Sequence, residues 1–266
     1  MNGTDMDHIT VFFGGDICGS FGLETAVRFL PSLIKQEAVD FVVVNGENTA
    51  KGCGIEPDQA NRLFAAGVDV ITGGNHTLER FDLRESFGEE ERILRPANYP
   101  FARGSGHLTV KKAHGTLTVV NLQGRENMRP IDCPFQTADS LLQHGLEGCI
   151  LIDFHAESVQ EKEALAYYLD GRVSCVFGSH THTQTADERI LAGGTGYLTD
   201  AGMIGAFDSV IGGAMEPALE RSMTLVPQPF VLQESGRALF CGIIATLSSE
   251  TKKTCSLKRI YVTFGE

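Results

Sequence analysis

No apolar stretch in these 266 residues approaches the roughly 20 that a membrane-spanning helix needs. The first residues are short and acidic, with Asp5 and Asp7, and lack the basic–apolar–small order of a signal peptide. A cytoplasmic protein is the expectation, with residues 1–8 a loose extension ahead of a single domain over 9–266. There is no CxxC pair among the seven cysteines (Cys18, Cys53, Cys133, Cys149, Cys175, Cys241 and Cys255). Scattered and odd in number, they suit neither a disulfide framework nor a cysteine-based zinc site, and read as reduced thiols. Positive charge is scarce: 22 Lys and Arg face 34 Asp and Glu, for a net charge of −12. Affinity for long nucleic acid comes from cations neutralising phosphates, so that partner is not expected. A small anionic substrate stays open if bound metal reverses the charge locally. There is also no G-x-S-x-G elbow and no Walker loop. Gly14-Gly15 and Gly73-Gly74 do not extend to G-x-G-x-x-G with an acid ~20 residues on. Serine hydrolase, P-loop NTPase and dinucleotide-binding readings are therefore set aside.

What is present is a strand–helix rhythm. Ile9–Phe13, Phe41–Val44 and Val68–Thr72 read as strands, separated by helical spacing over Leu23–Glu37 and by a helix over Pro57–Ala66. Such alternation predicts a largely parallel sheet covered on both faces. A hairpin is expected over His107–Lys112 and Leu117–Asn121. It is followed by a strand at Cys149–Asp153, a helix at Val159–Leu169 and a strand at Val173–Phe177. The last third reads as β-rich, with strands expected at Arg189–Leu191, Tyr197–Thr199, Phe230–Gln233, Leu239–Thr246 and Leu257–Phe264.

Polar clusters follow these strands. Asp16 follows the first, Glu47 and Asn48 the second, and Asn75 and His76 the third. His155 follows the strand ending at Asp153, and His180 and His182 the one ending at Phe177. Ligands of open parallel sheets bind beyond the carboxyl ends of the strands, so five distant segments are expected to converge. Taken singly, Asp16 reads as a cap, Asn48 and Asn75 as turn formers, and His155 as a satisfied surface histidine. Together they form a donor set. Carboxylate, amide oxygen and imidazole suit manganese, iron or zinc, whereas calcium wants mostly oxygen. His180 and His182 are two apart, and in extended backbone they face the same way and could serve two neighbouring ions. Glu47, with two oxygens, could bridge them. Arg125, Arg129 and Arg172 are candidate phosphate contacts, with surface arginine the plainer reading of each.

The segments GDICGS (15–20), VVNGENTAKG (43–52), ITGGNHT (71–77), LRPANYP (94–100), VVNLQGR (119–125), IDFHAES (152–158), YLDGRVSCVFGSHTHTQTAD (168–187) and YLTDAGM (197–203) resemble the YmdB-like metallophosphoesterases. The resemblance spans about residues 9 to 264. It implies an α/β fold, the calcineurin-like α-β-β-α sandwich of two mixed sheets flanked by helices. It implies a centre of two divalent or trivalent metal ions, iron or manganese first, with zinc or magnesium as alternatives. The implied substrate is a small phosphodiester such as a 2′,3′-cyclic nucleotide. Carried over by motif, Asp16, Glu47, Asn48 and His182 would hold one ion, and Glu47, Asn75, His155 and His180 the other. His76 would be the general acid. The wider superfamily opens with DxH, whereas the residue two after Asp16 is Cys18. The YmdB-like branch lacks that histidine too, and Cys18 stays open as a soft ligand. A phosphomonoesterase on the same centre, and a regulatory metal-binding protein acting through partners or RNA, are the alternatives. A homo-oligomer fits the family, although no apolar stripe assigns one.

Overall fold

Alternation along the strands sorts the apolar residues into three layers. The computed structural model describes residues 8–79 and 89–265, so the expected extension lies, His8 apart, outside the described residues. The strands are β1 (His8–Ile17), β2 (Phe41–Asn45), β3 (Val70–Thr72), β4 (His107–Lys112), β5 (Gly115–Gln123), β6 (Cys149–His155), β7 (Cys175–Ser179), β8 (Arg189–Ile190), β9 (Gly196–Leu198), β10 (Met203–Ala206), β11 (Ala238–Ser248) and β12 (Thr254–Phe264). The described helices are α1 (Gly19–Gln36), α2 (Pro57–Ala65), α3 (Pro134–Gln143), α4 (Val159–Tyr168) and α5 (Met215–Thr224).

Two mixed six-stranded sheets form, in the orders β12-β11-β10-β1-β2-β3 and β4-β5-β6-β7-β9-β8. Ile9, Val11 and Phe13 of β1, with Phe41 and Val43 of β2, point into the space between the sheets. There they meet Leu117, Val119, Leu151 and Phe177 from the other sheet. Phe13 and Phe177 touch across the gap at 5.9 Å between ring centroids. The alternate residues Phe12, Val42 and Val44 face outward and pack under Leu23 and Leu30 of α1 and Leu63 of α2. On the second sheet, Ile150, Ile152 and Phe154 face Leu165 and Ala166 of α4. Each fully buried side chain of this size contributes about 1.5–3 kcal/mol. The α-β-β-α sandwich is the expected architecture. No described helix is long and apolar enough to cross a membrane, and no cysteine is in a disulfide.

Several strands run past the apolar runs that announced them. On the inter-sheet face, Phe41 and Val43 give way to Asn45, Leu117 and Val119 to Asn121 and Gln123, Leu151 to Asp153 and His155, and Phe177 to Ser179. All six polar residues are buried. The parallel register brings Gln123, His155 and Ser179 level with one another. One end of the inter-sheet layer is thus oil and the other a buried polar pocket.

β1 enters that pocket through a bulge. Its register on β2 passes from Gly14↔Val44 to Asp16↔Asn45, leaving Gly15 as the extra residue. A Cβ on Gly15 would lie 2.0 Å from the Gly202 carbonyl oxygen, so only glycine fits there. The skip turns Asp16 onto the inter-sheet face and sends Ile17 to the outer one.

Two expectations fail in the last third. Phe230–Gln233 is not a strand; Leu232 makes a single bridge to Gly213. The segment before it holds strand β10 and helix α5, neither of which was expected. α5 buries none of its residues, so its apolar positions carried no core signal.

Candidate metal centre

The three strand-end imidazoles each have one nitrogen tied to an acceptor. His155 Nδ1 lies 2.9 Å from Ser179 Oγ, whose hydroxyl donates to Asp153 Oδ1 at 2.6 Å. His180 Nε2 lies 3.1 Å from Glu157 Oε2. His182 Nδ1 donates to the Ile211 carbonyl at 2.7 Å. Such partners fix tautomer and ring orientation, and they leave the opposite nitrogen with its lone pair. His155 Nε2 then sits 2.9 Å from Glu47 Oε1, 3.0 Å from Asn75 Oδ1 and 3.0 Å from His180 Nδ1. Burial disfavours charge on His155, but Glu47 outweighs it and favours a proton shared between Nε2 and Glu47; a cation would take that proton's place among the four donor atoms. His182 Nε2 lies 3.2 Å from Asn48 Oδ1. Asp16 Oδ1 is buried without a hydrogen-bond partner, 3.8 Å from His155 Nδ1. Metal–ligand bonds of about 2.0–2.2 Å place neighbouring ligands about 3 Å apart, so the donor set fits a cation.

The charges agree. Burial pushes the Glu47 carboxyl up, but the charge and hydrogen bond of His155 outweigh it and hold the group at about 2. Burial raises Asp16, and the nearby His182 and His155 only partly resist. Asp153 is pushed up to about 7, again by burial. His180 falls to about 3 through burial and the neighbouring His155. Its ring is therefore neutral near pH 7 and its Nδ1 can ligate. Desolvated carboxylates without enough positive charge are what a bound cation offsets.

The His180–His182 stretch is not extended. Both residues lie in the left-handed region, at φ 101° and 62°, so their shared orientation comes from a turn rather than from strand alternation. Strain of roughly 1–3 kcal/mol per such residue persists only where its surroundings impose it. Here Asp16 Oδ2 accepts the His180 N–H at 3.1 Å and Asp200 Oδ2 accepts the Thr181 N–H at 3.0 Å. Asp200 is itself held by Lys162 Nζ at 2.8 Å, an ion pair in which Lys162 is 1% exposed. Its other oxygen accepts from Gly202 N–H, and the Gly202 carbonyl accepts from the Asp16 N–H. Lys162 and Asp200 were missed from the sequence, where a lysine on a helix reads as solvated. Gly74 is equally constrained, since a Cβ there would lie 2.2 Å from His155 Cδ2.

Asn75 and His76 also lie in a turn. The turn still separates their roles. Asn75 reaches His155, while the His76 N–H donates to Glu47 Oε2 at 2.9 Å and its Nδ1 meets Glu79 Oε2 at 2.6 Å. Glu79 was not singled out from the sequence, although its i, i+3 spacing from His76 is the signal of such a turn. Arg129 Nη2 holds the other Glu79 oxygen at 2.9 Å. Asn75, Glu79, Tyr99, Arg103 and Arg129 line a cavity of about 790 Å³. Arg172 pairs instead with Asp139, and Arg125 lines a separate cavity beside Glu161. Cys18 Sγ lies 3.5 Å from His182 Nδ1, the nitrogen already given to Ile211, which places it behind the ring rather than on its ligating side.

The profile of the YmdB-like protein family matches residues 12–260. The chain belongs to the YmdB-like family. This YmdB-like protein is 39% identical over 255 residues to the 2′,3′-cyclic-nucleotide 2′-phosphodiesterase of Bacillus subtilis (strain 168), covering 95% of this chain and 96% of that one. A hypothetical protein from Thermus thermophilus superposes with a TM-score of 0.89 at 37% identity, covering 96% and 99% of the two chains. A novel phosphatase from Mycoplasma pneumoniae gives 0.91 at 32%, covering 97% and 94%. Membership of a metallophosphoesterase family implies divalent metal ions, and the donor set fits them.

Proposed function

We propose that this YmdB-like protein is a dinuclear-metal phosphodiesterase, a single domain over residues 9–266, acting on small phosphate esters, 2′,3′-cyclic nucleotides first. The observation that carries this reading is the set of three imidazoles, each with one nitrogen pinned, the free nitrogens of His155 and His180 gathered with the ionised, buried Glu47 and that of His182 facing Asn48. The name of the Bacillus subtilis relative supplies the substrate class. Asp16, Glu47, Asn48 and His182 would hold one ion, and Glu47, Asn75, His155 and His180 the other. The mixed nitrogen and oxygen donors suit iron or manganese. Unbridged thiols support a cytoplasmic setting.

When bound, such ions supply positive charge for the phosphoryl oxygens and acidify water near neutral pH. The chain does the rest. Asp16 and Asp200 fix the His180–His182 turn, so the ligands stand in place before substrate arrives. The Asn75–Arg129 cavity accepts the ester, with Arg103 and Arg129 offering cations to it. Water oxygen bonds to phosphorus, losing one proton to solvent, as one ring P–O bond breaks, and the leaving alkoxide takes a proton. His76 Nδ1 is committed to Glu79, which leaves Nε2 to give that proton.

The test is His76→Ala, with metal content and two turnover rates read on one preparation. A positioned general acid supplies ~10²–10⁴-fold when the leaving group is poor. The variant should keep its metal and lose that factor on a nucleoside 2′,3′-cyclic phosphate. It should lose clearly less on bis-p-nitrophenyl phosphate, whose aryl oxide leaves without a proton. Loss of metal, or equal slowing of both substrates, refutes the acid assignment. Running p-nitrophenyl phosphate alongside separates diesterase from monoesterase preference.

A further inference from the structure

Beside the dinuclear set lies a second convergence of metal-binding groups. Cys53 Sγ is 3.8 Å from His76 Nδ1 and 3.7 Å from Glu79 Oε2, and those two atoms are 2.6 Å apart. One donor atom from each of the three residues falls within 4.8 Å of the others. The side chains are half-buried, sheltered yet open to an ion from solution. Two loops build the cluster. Cys53 belongs to the turn after β2 that also carries Glu47 and Asn48, and the Gly54 N–H closes that turn on the Glu47 carbonyl. His76 and Glu79 belong to the turn that carries Asn75.

The donor types discriminate between metals. Thiolate, imidazole and carboxylate with a fourth position open to solvent is a zinc set. Sulfur disfavours magnesium, calcium and manganese. Zinc–sulfur bonds of about 2.3 Å and zinc–nitrogen or –oxygen bonds of about 2.0–2.2 Å put sulfur roughly 3.5 Å from its tetrahedral neighbours. The Cys53 distances already stand close to that. Only His76 and Glu79 must part, exchanging one hydrogen bond for two metal bonds.

We propose that Cys53, His76 and Glu79 bind one zinc ion, separate from the dinuclear centre, and that this ion inhibits turnover. Binding at the cluster stands on its own geometry; the inhibition rests on the reading of His76 as general acid. Zinc on Nδ1 takes the place of the proton that faces Glu79. Seating the ion parts His76 from Glu79, the contact that orients the ring, and so moves Nε2 off the leaving oxygen. Substrates that need a proton from Nε2 should be inhibited, and a nitrophenyl ester much less.

Protein holding its two ions and saturated with manganese is titrated with zinc. Bound zinc, retained manganese, iodoacetamide labelling of Cys53 and turnover of both esters are measured on wild type and on Cys53→Ser. Wild type should take up about one zinc per chain while keeping its manganese, with Cys53 shielded from labelling. Its cyclic-nucleotide turnover should fall by at least ~10-fold. Cys53→Ser should keep its basal turnover and need about 10–100-fold more zinc for the same effect. Equal zinc uptake by the two proteins, or uptake only as manganese leaves, overturns the site. Zinc bound through Cys53 that slows both esters equally upholds the site and removes the acid role of His76.

Discussion

Glu47 divides its two oxygens between two tasks. Oε1 faces His155 Nε2 and Oε2 accepts the His76 N–H, each at 2.9 Å. One ionised side chain therefore ties the imidazole cluster to the turn that carries the proposed acid. Asn48 offers a single neutral oxygen toward His182 Nε2. Glu47→Gln should consequently weaken metal retention by about 10–100-fold, and Asn48→Ala by less. Metal content after dialysis decides it, and equal loss in the two variants argues against a bridging role for Glu47. The ligand candidates were legible because each follows an apolar run. What supports them was not. Lys162 and Asp200 are 38 residues apart and meet only through the fold. Ser179 and Glu157 look like ordinary polar residues until a ring nitrogen is found against each.

At the scale of elements, the sequence pattern located every described strand except β10 but stopped short at several of their ends. β1, β2, β6 and β7 continue through Asp16, Asn45, His155 and Ser179, because the inter-sheet face turns polar where the strands end. A run of hydrophobic residues cannot announce that continuation. The bulge at Gly15 was equally hidden, since it depends on the approach of Gly202. α4 shows how an element far from the donors reaches them. Its Lys162 holds Asp200, and Asp200 holds the amide of Thr181 between the two histidines. Removing one member of a buried pair leaves the other uncompensated and costs about 3–5 kcal/mol. Lys162→Met should therefore lower unfolding stability by that amount and loosen metal retention, although Lys162 touches no proposed ligand. Adding Asp200→Asn to Lys162→Met should cost less than the sum of the two single changes. Denaturant unfolding of the four proteins gives the coupling directly, and strict additivity would show that the pair does not act as a unit.

The whole molecule pairs an ordered sandwich with one segment that has no core of its own. The fold class was legible from the strand–helix rhythm and the family motifs, since both report the buried layers. The stretch from 210 to 231 was not, because its apolar residues face outward. Val210, Ile211, Met215, Leu219, Met223, Leu225, Phe230 and Val231 are all exposed, Met223 at 81% and Leu225 at 87%. A ten-residue helix with no buried face is marginal in water, so a covering partner is the expectation for these exposed apolar residues. The same segment frames a cavity of about 200 Å³ lined by Val210, Ile211, Pro217, Phe230 and Val231. Apolar knobs beside an apolar hollow suit a two-fold contact between copies of the chain, in which each buries its knobs in the other. The segment is also joined to the metal site, because the Ile211 carbonyl holds His182 Nδ1. Association should thus steady one of the ligands. Wild type is expected to scatter light as a multiple of the 28.8 kDa chain. Leu219→Glu combined with Met223→Glu should reduce it to the single chain and weaken metal retention by up to about 10-fold through the freed Ile211 carbonyl. Stability should change little, because neither side chain is buried within its own chain. A wild-type protein that already runs at the mass of one chain, or a double variant that stays associated, would show that this surface serves some other purpose.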